Sequence, residues 1–223
     1  MGEANAPPEW QAYRLFYAQF RRHFQATGAI APSGPALARA MTAPLAQAPG
    51  PRRVLEAGAG TGVFTRAILR QLEPGDELDI YEINPVFLPW LERRKQEARA
   101  EARGIRCTIH PCDLRLAPPG AGYDFIVSGL PLNNFPPALV AEMLELFDRC
   151  LRPGGVLSYF EYLYIRELKR ALVRDPAERA RLDAVATVLQ AFLARHRHHS
   201  QTVACNLPPA VARHLTRNAV AAD

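Results

Sequence analysis

The chain has 223 residues, of which 48% are hydrophobic and 22% are charged, proportions that are ordinary for a soluble globular protein with one core. No run of eighteen apolar residues and no N-terminal apolar signal core is present, which excludes a membrane-spanning helix and leads us to expect a cytosolic protein. The formal net charge of +5 and the pI of about 9.3 favour a polyanionic partner, either nucleic acid or an anionic membrane.

The N-terminal segment predicts an amphipathic helix. Aromatic residues recur at steps of three and four, which places them on one helix face; they are Trp10, Tyr13, Tyr17, Phe20 and Phe24. Basic residues lie beside or opposite this stripe, namely Arg14, Arg21, Arg22 and His23. The pattern is typical of a helix in a membrane interface, but packing on the protein's own core is equally compatible with it. A lid that also touches lipid would do both.

Strand and helix patterns alternate between residues 53 and 162. The strand segments are RRVLEAG, LDIYEI, IRCTIH, YDFIVSG and VLSYFEYLYI. The helical segments are TGVFTRAILRQL, PVFLPWLERRKQEARAEAR and PALVAEMLELFDRCL, and SQTVACNL and AVARHLTR predict two final strands. This order predicts an α/β fold in which helices cover both faces of a mostly parallel sheet, and ligands then bind beyond the carboxyl ends of the strands.

The loop EAGAGTG after the first strand predicts a ligand site at that edge. Its glycines, Gly58, Gly60 and Gly62, allow a sharp turn and let backbone N–H groups approach a ligand closely. A dinucleotide fingerprint requires glycine where this chain has Val63. Glu56, just before the loop, would be a poor neighbour for a pyrophosphate, but it suits a cationic ligand or the N–H groups of the loop itself.

Two more carboxylates follow the next two strands. Glu82 comes about twenty residues after the glycines, where a carboxylate accepts hydrogen bonds from ribose hydroxyls. Asp113, next to apolar Leu114, is placed to accept from the exocyclic amine of adenine. Each feature alone is also explained by a topological turn or a solvated loop acid. In this order, after consecutive strands, they fit S-adenosylmethionine, which joins a ribose, an adenine and a cationic amino acid tail without a phosphate.

The fourth strand runs into the turn SGLPLNN, which has no histidine, cysteine, lysine or carboxylate. Methyl transfer from a sulfonium depends on positioning the acceptor and excluding water rather than on a strong acid or base. The turn therefore fits an acceptor cradle in which Ser128 Oγ and the carbonyls of residues 128–130 accept hydrogen bonds from an amine. A plain strand-ending turn is the alternative. An adenine-N6 methyltransferase typically has an aromatic ring directly after the proline, to stack the flipped base, whereas Leu132 follows Pro131 here.

A long basic helical region is predicted from Arg166 to about His196, and it is either a second contact surface or a solvated face. Its basic residues are Arg166, Lys169, Arg170 and Arg174, followed by residues 195–199. The histidines His196, His198 and His199 alternate with arginines, which predicts a basic helix tip rather than a metal site. The four cysteines lack the paired spacing of a zinc knuckle, so we expect no metal.

Several segments together resemble the bacterial phospholipid N-methyltransferases, which are similar in fold to the ribosomal RNA adenine dimethylases. The segments are GAIAPSGPALARAM, VLEAGAGTGVFTRAIL, YEINPVF, DFIVSGLPLNNFP, LRPGGVLSYFEY and NLPPA. The resemblance implies a class I methyltransferase fold of seven strands. It also implies successive methylation of phosphatidylethanolamine to phosphatidylcholine by a cytoplasmic enzyme attached peripherally to the inner face of the cell membrane. The family often has a serine where this chain has Gly34.

The resemblance also implies roles for individual residues. The methionine end of S-adenosylmethionine would lie against Glu56, Gly58, Gly60, Thr61 and Gly62. The ribose and adenine would lie against Glu82, Ile83, Asn84, Asp113, Leu114 and Ser128, with Ile30 to Ser33 closing over them. The acceptor would lie against Ser128, Gly129, Leu130 and Pro131. The membrane and substrate would meet Trp10, Tyr13, Arg14, Tyr17, Phe20, Arg21 and Arg22.

The sequence thus predicts an N-terminal helix and covering loop at 1–34 and a methyltransferase domain at 35–223. The expected partners are anionic lipids and phosphatidylethanolamine, without nucleic acid. An rRNA adenine N6-methyltransferase and a nonenzymatic membrane-binding module are the alternatives. The substrate ammonium must lose a proton before it reacts, and Tyr17, Glu161 and Tyr162 are candidate acceptors that the sequence does not rank.

Overall fold

The computed structural model describes residues 34–163, 175–206 and 208–218. The α-helices are α1 (Pro35–Thr42), α2 (Val63–Leu69), α3 (Leu88–Glu97), α4 (Pro137–Cys150) and α5 (Pro176–Ala194). The strands are β1 (Arg53–Ala57), β2 (Glu77–Tyr81), β3 (Arg106–His110), β4 (Tyr123–Ser128), β5 (Leu151–Tyr162), β6 (Arg197–Val203) and β7 (Ala210–Thr216). Short 3-10 turns lie at Ala43–Gln47, Pro85–Phe87, Glu101–Arg103, Leu114–Leu116 and Leu132–Asn134.

The seven strands form one sheet in the order β3-β2-β1-β4-β5-β7-β6. Neighbouring strands from β3 to β5 pair in parallel, whereas β7 runs antiparallel to both β5 and β6. The strand order reverses between β1 and β4, so the loops that leave these two strands diverge and open a crevice at the carboxyl edge. The predicted fold, a seven-stranded and mostly parallel sheet of the class I methyltransferase type, is confirmed.

Each face of the sheet has its own apolar core. On one face, residues of α1, α2 and α3 pack against the strands; examples are Leu37, Ile68 and Leu91 on Val54 and Ile80. On the other face, residues of α4 and α5 do the same; examples are Val140, Leu144 and Leu189 on Leu55 and Ile126. Because β1 and β4 are covered on both faces, their sequences are nearly continuous apolar runs rather than alternating ones.

The connection between β3 and β4 contains no α-helix, and none of the predicted helical segments lies there. Residues 111–122 contain only the 3-10 turn Leu114–Leu116. Prolines at 111, 118 and 119 and glycines at 120 and 122 prevent a regular helix over this connection. Asp113 lies at the beginning of this connection, beside the carboxyl end of β3, before the chain crosses to the start of β4.

The C-terminal histidines lie on a strand rather than at a helix tip. α5 ends at Ala194 and β6 begins at Arg197, which places His198 and His199 within the strand. The ring of His199 stands 4.6 Å from that of His214 on β7. His196 precedes the strand, with Nε2 3.0 Å from Asp148 Oδ1. The prediction of a basic helix tip is therefore wrong for His198 and His199, because cross-strand pairing with β7 extends β6 toward its N-terminus.

Several predictions fall outside the described residues. They are the N-terminal aromatic stripe, the covering loop from Ile30 to Ser33, and the basic residues Arg166, Lys169, Arg170 and Arg174. Within the described part of the chain, no helix has both the length and the apolar character to cross a bilayer.

Candidate active site

The glycine loop joins β1 to α2 through left-handed backbone conformations. The φ angles of Gly58, Gly60 and Gly62 are 69°, 56° and 76°, a region that glycine adopts without the steric cost of a Cβ. The loop also packs closely on the turn after β4, because a Cβ at position 58 would lie 2.5 Å from Leu130 Cδ2. The loop is thereby held against the turn that follows β4.

Glu82 connects the end of β2 to this loop. Its Oε2 accepts a hydrogen bond of 2.8 Å from the backbone N–H of Gly60, and its Oε1 accepts one of 2.8 Å from the N–H of Asn84. Glu82 is 1% exposed. Asn84 in turn caps the following 3-10 turn, since its Oδ1 accepts from the N–H of Val86 at 3.1 Å. The carboxylate thus fixes the glycine loop relative to the end of β2.

The turn after β4 packs directly on the glycine loop. The N–H of Gly129 donates to the carbonyl of Ala57 at 2.8 Å, and a Cβ at position 129 would lie only 2.6 Å from the carbonyl oxygen of Gly58. Ser128 is completely buried, and its Oγ accepts from the N–H of Leu130 at 3.4 Å. The structure therefore places Ser128 inside the turn, and its contact with a substrate amine stays a prediction. Pro131 precedes the 3-10 turn Leu132–Asn134.

A cleft opens where these loops meet at the carboxyl edge. Its walls are formed by Gly58, Tyr81, Glu82, Ile83, Cys112, Asp113, Leu114, Arg115, Leu130, Phe135, Leu139 and Met143. Five of the predicted cofactor residues lie in this wall: Gly58, Glu82, Ile83, Asp113 and Leu114. The other described ones, Glu56, Gly60, Thr61, Gly62, Asn84 and Ser128, belong to the same loops and strand ends. The structure therefore brings together segments that are distant along the chain.

Half of the cleft wall was missed by the sequence reasoning. Tyr81, Cys112 and Arg115 lie within two residues of predicted positions, so adjacency to Glu82 and Asp113 was the signal that could have found them. Phe135, Leu139 and Met143 lie in and after the turn that follows β4, with the last two one helical turn apart on α4. Nothing local in the sequence links that helix to the cleft.

Arg115 controls the charge state of Asp113. Its guanidinium donates to both carboxylate oxygens, with Nη2 2.7 Å from Oδ2, and its backbone N–H donates to Oδ1 at 2.9 Å. Partial burial acts to raise the pKa of Asp113, but the hydrogen bonds and charge of Arg115 outweigh it and hold the pKa below its usual value. Asp113 is therefore an ionised acceptor whose orientation is set by its neighbour on the same 3-10 turn.

Glu56 is the most perturbed carboxyl group beside the glycine loop. It is completely buried at the end of β1; Oε2 accepts from Thr65 Oγ1 at 2.7 Å, while Oε1 has no hydrogen-bond partner. Burial raises the pKa of Glu56 to about 8, the charge of Glu82 acts in the same direction, and the hydrogen bonds from Thr65 oppose both. A buried carboxyl group with one oxygen unsatisfied is a place where a cationic group would be stabilised.

A hydrogen-bonded network supports the cleft from below. The ring of Tyr81, in the cleft wall, stacks on His110 at a centroid distance of 4.5 Å. His110 Nε2 and the hydroxyl of Tyr123 lie 2.8 Å from the two carboxylate oxygens of Asp79. Burial, and then the hydrogen bond to Asp79, raise the pKa of Tyr123 well above its usual value, so the phenol stays a donor. This network links β2, β3 and β4 and fixes the position of the Tyr81 ring.

The charges of the cleft decide which ligand it suits. Its charged wall residues are Glu82, Asp113 and Arg115, and Arg115 is ion-paired with Asp113. The carboxylates of Glu82 and Asp113 in the wall, the apolar side chains between them and the buried Glu56 carboxyl at the end of β1 suit a nucleoside with a cationic tail rather than a diphosphate. No group of three or more histidine, cysteine, aspartate or glutamate side chains that could hold a metal occurs among the described residues.

Comparison with known proteins supports a methyltransferase cofactor in the cleft. A family model described as a methyltransferase domain matches residues 55–157, which run from β1 to β5 and include the cleft loops. The ornithine lipid N-methyltransferase of Singulisphaera acidiphila is 30% identical over 145 residues, which cover 65% of this chain and 74% of that protein. The chain belongs to the class I S-adenosylmethionine-dependent methyltransferases.

Solved structures share the fold of this methyltransferase. The 1,6-didemethyltoxoflavin-N1-methyltransferase of Burkholderia thailandensis, bound to its substrate and S-adenosylhomocysteine, is 19% identical with a TM-score of 0.59, covering 98% of this chain and 93% of that one. An O-methyltransferase of tomaymycin synthesis from Streptomyces achromogenes, bound to S-adenosylmethionine, is 17% identical with a TM-score of 0.58, covering 82% and 79%.

The methyltransferase therefore uses S-adenosylmethionine, as predicted from the glycine loop and its two following acids. The residues present suit that cofactor, because the unsatisfied Glu56 oxygen and the carboxylates of Glu82 and Asp113 in the cleft wall are partners for a cationic tail and for hydroxyl and amine groups. The alternative of a nonenzymatic membrane-binding module is wrong.

Proposed function

We propose that this enzyme transfers methyl groups from S-adenosylmethionine to the amine of phosphatidylethanolamine, and to its mono- and dimethyl forms, towards phosphatidylcholine. The observation that carries the proposal is the similarity to a lipid N-methyltransferase over 65% of the chain. The segments GAIAPS and SGLP, which resemble the phospholipid N-methyltransferases, point to phosphatidylethanolamine as the particular lipid.

The residues of the cleft and the glycine loop have proposed roles in binding each part of the cofactor. Glu82 accepts from the ribose hydroxyls; a carboxylate offers about four acceptor positions, so holding the glycine loop does not by itself prevent this. Asp113 accepts from the adenine amine, with Ile83 and Leu114 against the base. Glu56 and the glycine loop hold the methionine tail. S-adenosylmethionine supplies an electrophilic methyl group on a sulfonium.

The acceptor lies at the turn after β4. Gly129 packs on the carbonyl of Gly58, so the backbone carbonyls of residues 128–130 are next to the loop that holds the donor. They accept hydrogen bonds from the substrate amine and keep its lone pair directed at the methyl group. The turn needs no acid or base for this positioning role.

A row of aromatic rings leads away from the same turn. Phe64 Cδ2 lies 3.5 Å from the position of a Cβ at residue 129. The ring of Phe160 is 5.9 Å from that of Phe64, and the ring of Tyr162 is 5.2 Å from that of Phe160. Aromatic faces attract ammonium groups, including methylated ones. The row therefore supports a substrate whose nitrogen becomes a permanent cation after the last transfer.

Two of the candidate proton acceptors, Glu161 and Tyr162, lie on opposite faces of the sheet. Glu161 accepts from Arg213 Nε and points to the sheet face opposite Phe160 and Tyr162, because neighbouring residues of a strand alternate. Tyr162 lies on the same face as the aromatic row. We therefore favour water beside Tyr162 over Glu161 as the group that takes the proton from the substrate ammonium, with the neutral Tyr162 phenol holding that water by a hydrogen bond. Tyr17 lies outside the described residues.

The rRNA adenine N6-methyltransferase is the weaker candidate. Leu132 occupies the position where such enzymes stack the base, and it is 3% exposed. Phe135, the next aromatic residue, lies in the wall of the cofactor cleft. Neither side chain offers a stacking face beyond the turn.

Labelled S-adenosylmethionine tests the proposal directly. The enzyme is incubated with vesicles containing phosphatidylethanolamine, with vesicles containing ornithine lipid, and with ribosomal RNA. We expect label in the mono-, di- and trimethylated forms of phosphatidylethanolamine. Label only in ornithine lipid would make the substrate wrong and leave lipid N-methylation intact, and label only in RNA would overturn the proposal.

A further inference from the structure

The large apolar side chains that the described residues expose are concentrated at one edge of the sheet. Val86, Trp90 and Leu116 are 68%, 48% and 71% exposed. Val86 lies in the 3-10 turn after β2, Trp90 in the first turn of α3, and Leu116 in the 3-10 turn after β3. Because β2 and β3 are parallel neighbours, all three residues follow their carboxyl ends. We call Val86, Trp90 and Leu116 the edge patch.

The edge patch adjoins the cofactor cleft. Ile83, three residues before Val86, lies in the cleft wall, and Arg115, which immediately precedes Leu116, lies there too. Exposed large apolar groups cost solubility and are therefore informative when they gather near a functional opening. The edge patch flanks the part of the cleft that we assign to ribose and adenine.

The surface around Trp90 has the character of an interfacial helix. Five exposed residues lie on one side of the 3-10 turn and α3, since they are spaced by one and by three to four positions. They are Pro85, Val86, Pro89, Trp90 and Arg93. Tryptophan is enriched at the level of lipid headgroups, because its apolar ring can contact acyl chains while its N–H is hydrogen-bonded to water or headgroups. The basic residues closest in sequence to the patch, Arg93 and Arg115, are ion-paired with Glu97 and Asp113.

We propose that the edge patch enters the interfacial layer of an anionic phospholipid membrane and turns the carboxyl edge of the sheet towards the lipid headgroups. The inference rests on the proposed lipid substrate, which must reach the cleft from a bilayer. The formal net charge of +5 on the chain favours an anionic surface, and exposed apolar side chains that include a tryptophan favour a lipid one. The edge patch consists of residues other than those of the N-terminal aromatic stripe, and it is carried by the catalytic fold itself.

Tryptophan fluorescence tests the orientation. The chain has two tryptophans, so Trp10→Phe leaves Trp90 as the sole reporter. On vesicles of phosphatidylglycerol and phosphatidylethanolamine, we expect its emission to move to shorter wavelength and to be quenched by brominated acyl chains. Unchanged emission in protein that sediments with the vesicles would overturn the proposal.

A matched control places the reporter at the opposite edge. In the background of Trp10→Phe and Trp90→Phe, Glu73→Trp introduces a tryptophan at an exposed position before β2. We expect its emission to be unaffected by vesicles. An equal shift at both edges, or a shift of Trp90 that depends on protein concentration without vesicles, would overturn the proposal; the latter would indicate contact with a second copy instead.

Affinity gives the second measurement. The triple variant Val86→Ser, Trp90→Ser, Leu116→Ser should bind these vesicles at least roughly tenfold more weakly, because it removes the exposed apolar area. The control variant Gln96→Ser, Thr187→Ser, Gln190→Ser changes three exposed positions outside the patch and should bind as the wild type does. Unchanged S-adenosylmethionine affinity and thermal midpoint in both variants would show that they are folded.

Detergent micelles separate this inference from the proposed function. With phosphatidylethanolamine in micelles, the edge-patch variant should methylate at the wild-type rate, and with vesicles it should be slower. If the wild type methylates lipid on vesicles and the edge-patch variant binds and methylates them equally well, the edge-patch proposal is rejected while the proposed function stands. Absence of lipid methylation by the wild type in both media would reject the proposed function, while the fluorescence of Trp90 would still decide the edge patch.

Discussion

Glu82 Oε2 accepts a hydrogen bond of 2.8 Å from the backbone N–H of Gly60, which joins the end of β2 to the loop that follows β1. The two residues are 22 positions apart, and the contact exists only because β1 and β2 are parallel neighbours. One carboxylate thereby shapes the glycine loop and presents acceptor oxygens at the cofactor cleft.

Replacing Glu82 should therefore remove cofactor binding. In Glu82→Ala the loop loses its anchor and the ribose loses its acceptor, so we expect no S-adenosylmethionine binding in isothermal calorimetry. Glu82→Gln keeps the size but places an amide NH2 against N–H donors, and we expect affinity to fall by about tenfold or more. The control is Glu97→Gln on the exposed surface of α3, which should bind normally. Binding by Glu82→Ala within about twofold of wild type would refute the ribose role.

Gly129 should be intolerant of any side chain. A Cβ there would lie 2.6 Å from the carbonyl oxygen of Gly58, so Gly129→Ala must push the acceptor turn away from the glycine loop. Because misplacement by about 1 Å can lower rates a hundredfold, we expect a large loss of kcat with a smaller change in cofactor affinity. Gly120→Ala, whose Cβ meets no atom within 4 Å, is the control and should keep its kcat despite some backbone strain. A normal kcat for Gly129→Ala would show that the turn does not position the acceptor.

Glu56 should make the stability of the free enzyme depend on pH. Its pKa is raised to about 8 by burial, above the unfolded value, so the stability it contributes is present at low pH and is lost as pH rises through about 8. Between about pH 6.5 and 8 we expect the free energy of unfolding to fall by roughly 2 kcal/mol. Urea unfolding of Glu56→Gln should show that this part of the slope is gone, whereas Glu92→Gln on the surface should retain it. An identical slope in Glu56→Gln and wild type would exclude Glu56 as the cause.

The raised pKa of Glu56 also predicts that protons are released when the cofactor binds. If the cationic tail of S-adenosylmethionine lies at the unsatisfied oxygen of Glu56, binding favours the ionised carboxylate. At neutral pH the observed calorimetric heat should then vary with the ionisation enthalpy of the buffer, with protons passing to the buffer. Glu56→Gln should abolish that dependence. Equal heats in all buffers for the wild type would place the tail elsewhere.

Phe160 should contribute to recognition of the substrate ammonium. Phe160→Leu keeps most of the apolar volume between Phe64 and Tyr162 but removes the aromatic face. The loss of about 1 kcal/mol of cation–π attraction corresponds to a rise in KM for the phospholipid of roughly fivefold, with less effect on kcat. Phe192→Leu, a buried replacement on α5, controls for loss of packing and should leave KM unchanged. Equal KM values for Phe160→Leu and the wild type would show that the row of aromatic rings does not bind the substrate ammonium.

The sequence by itself determined the order and type of most elements, the glycine loop and the two carboxylates after β2 and β3. These features are local: apolar periodicity distinguishes strand from helix, and glycine and acid positions are fixed relative to strand ends. The same local logic failed for His198 and His199, since pairing with β7 made a strand of residues that resemble a helix tip.

The tertiary structure alone decided which residues share the site. Leu139 and Met143 reach the cleft because α4 packs beside it, and Gly129 meets Gly58 because β1 and β4 are neighbours. Burial is likewise a property of the whole fold. It places Ser128 inside its turn, gives Glu56 an unsatisfied oxygen and a raised pKa, and leaves Val86, Trp90 and Leu116 in solvent. Such outcomes depend on contacts between residues far apart in the chain, which local sequence patterns do not encode.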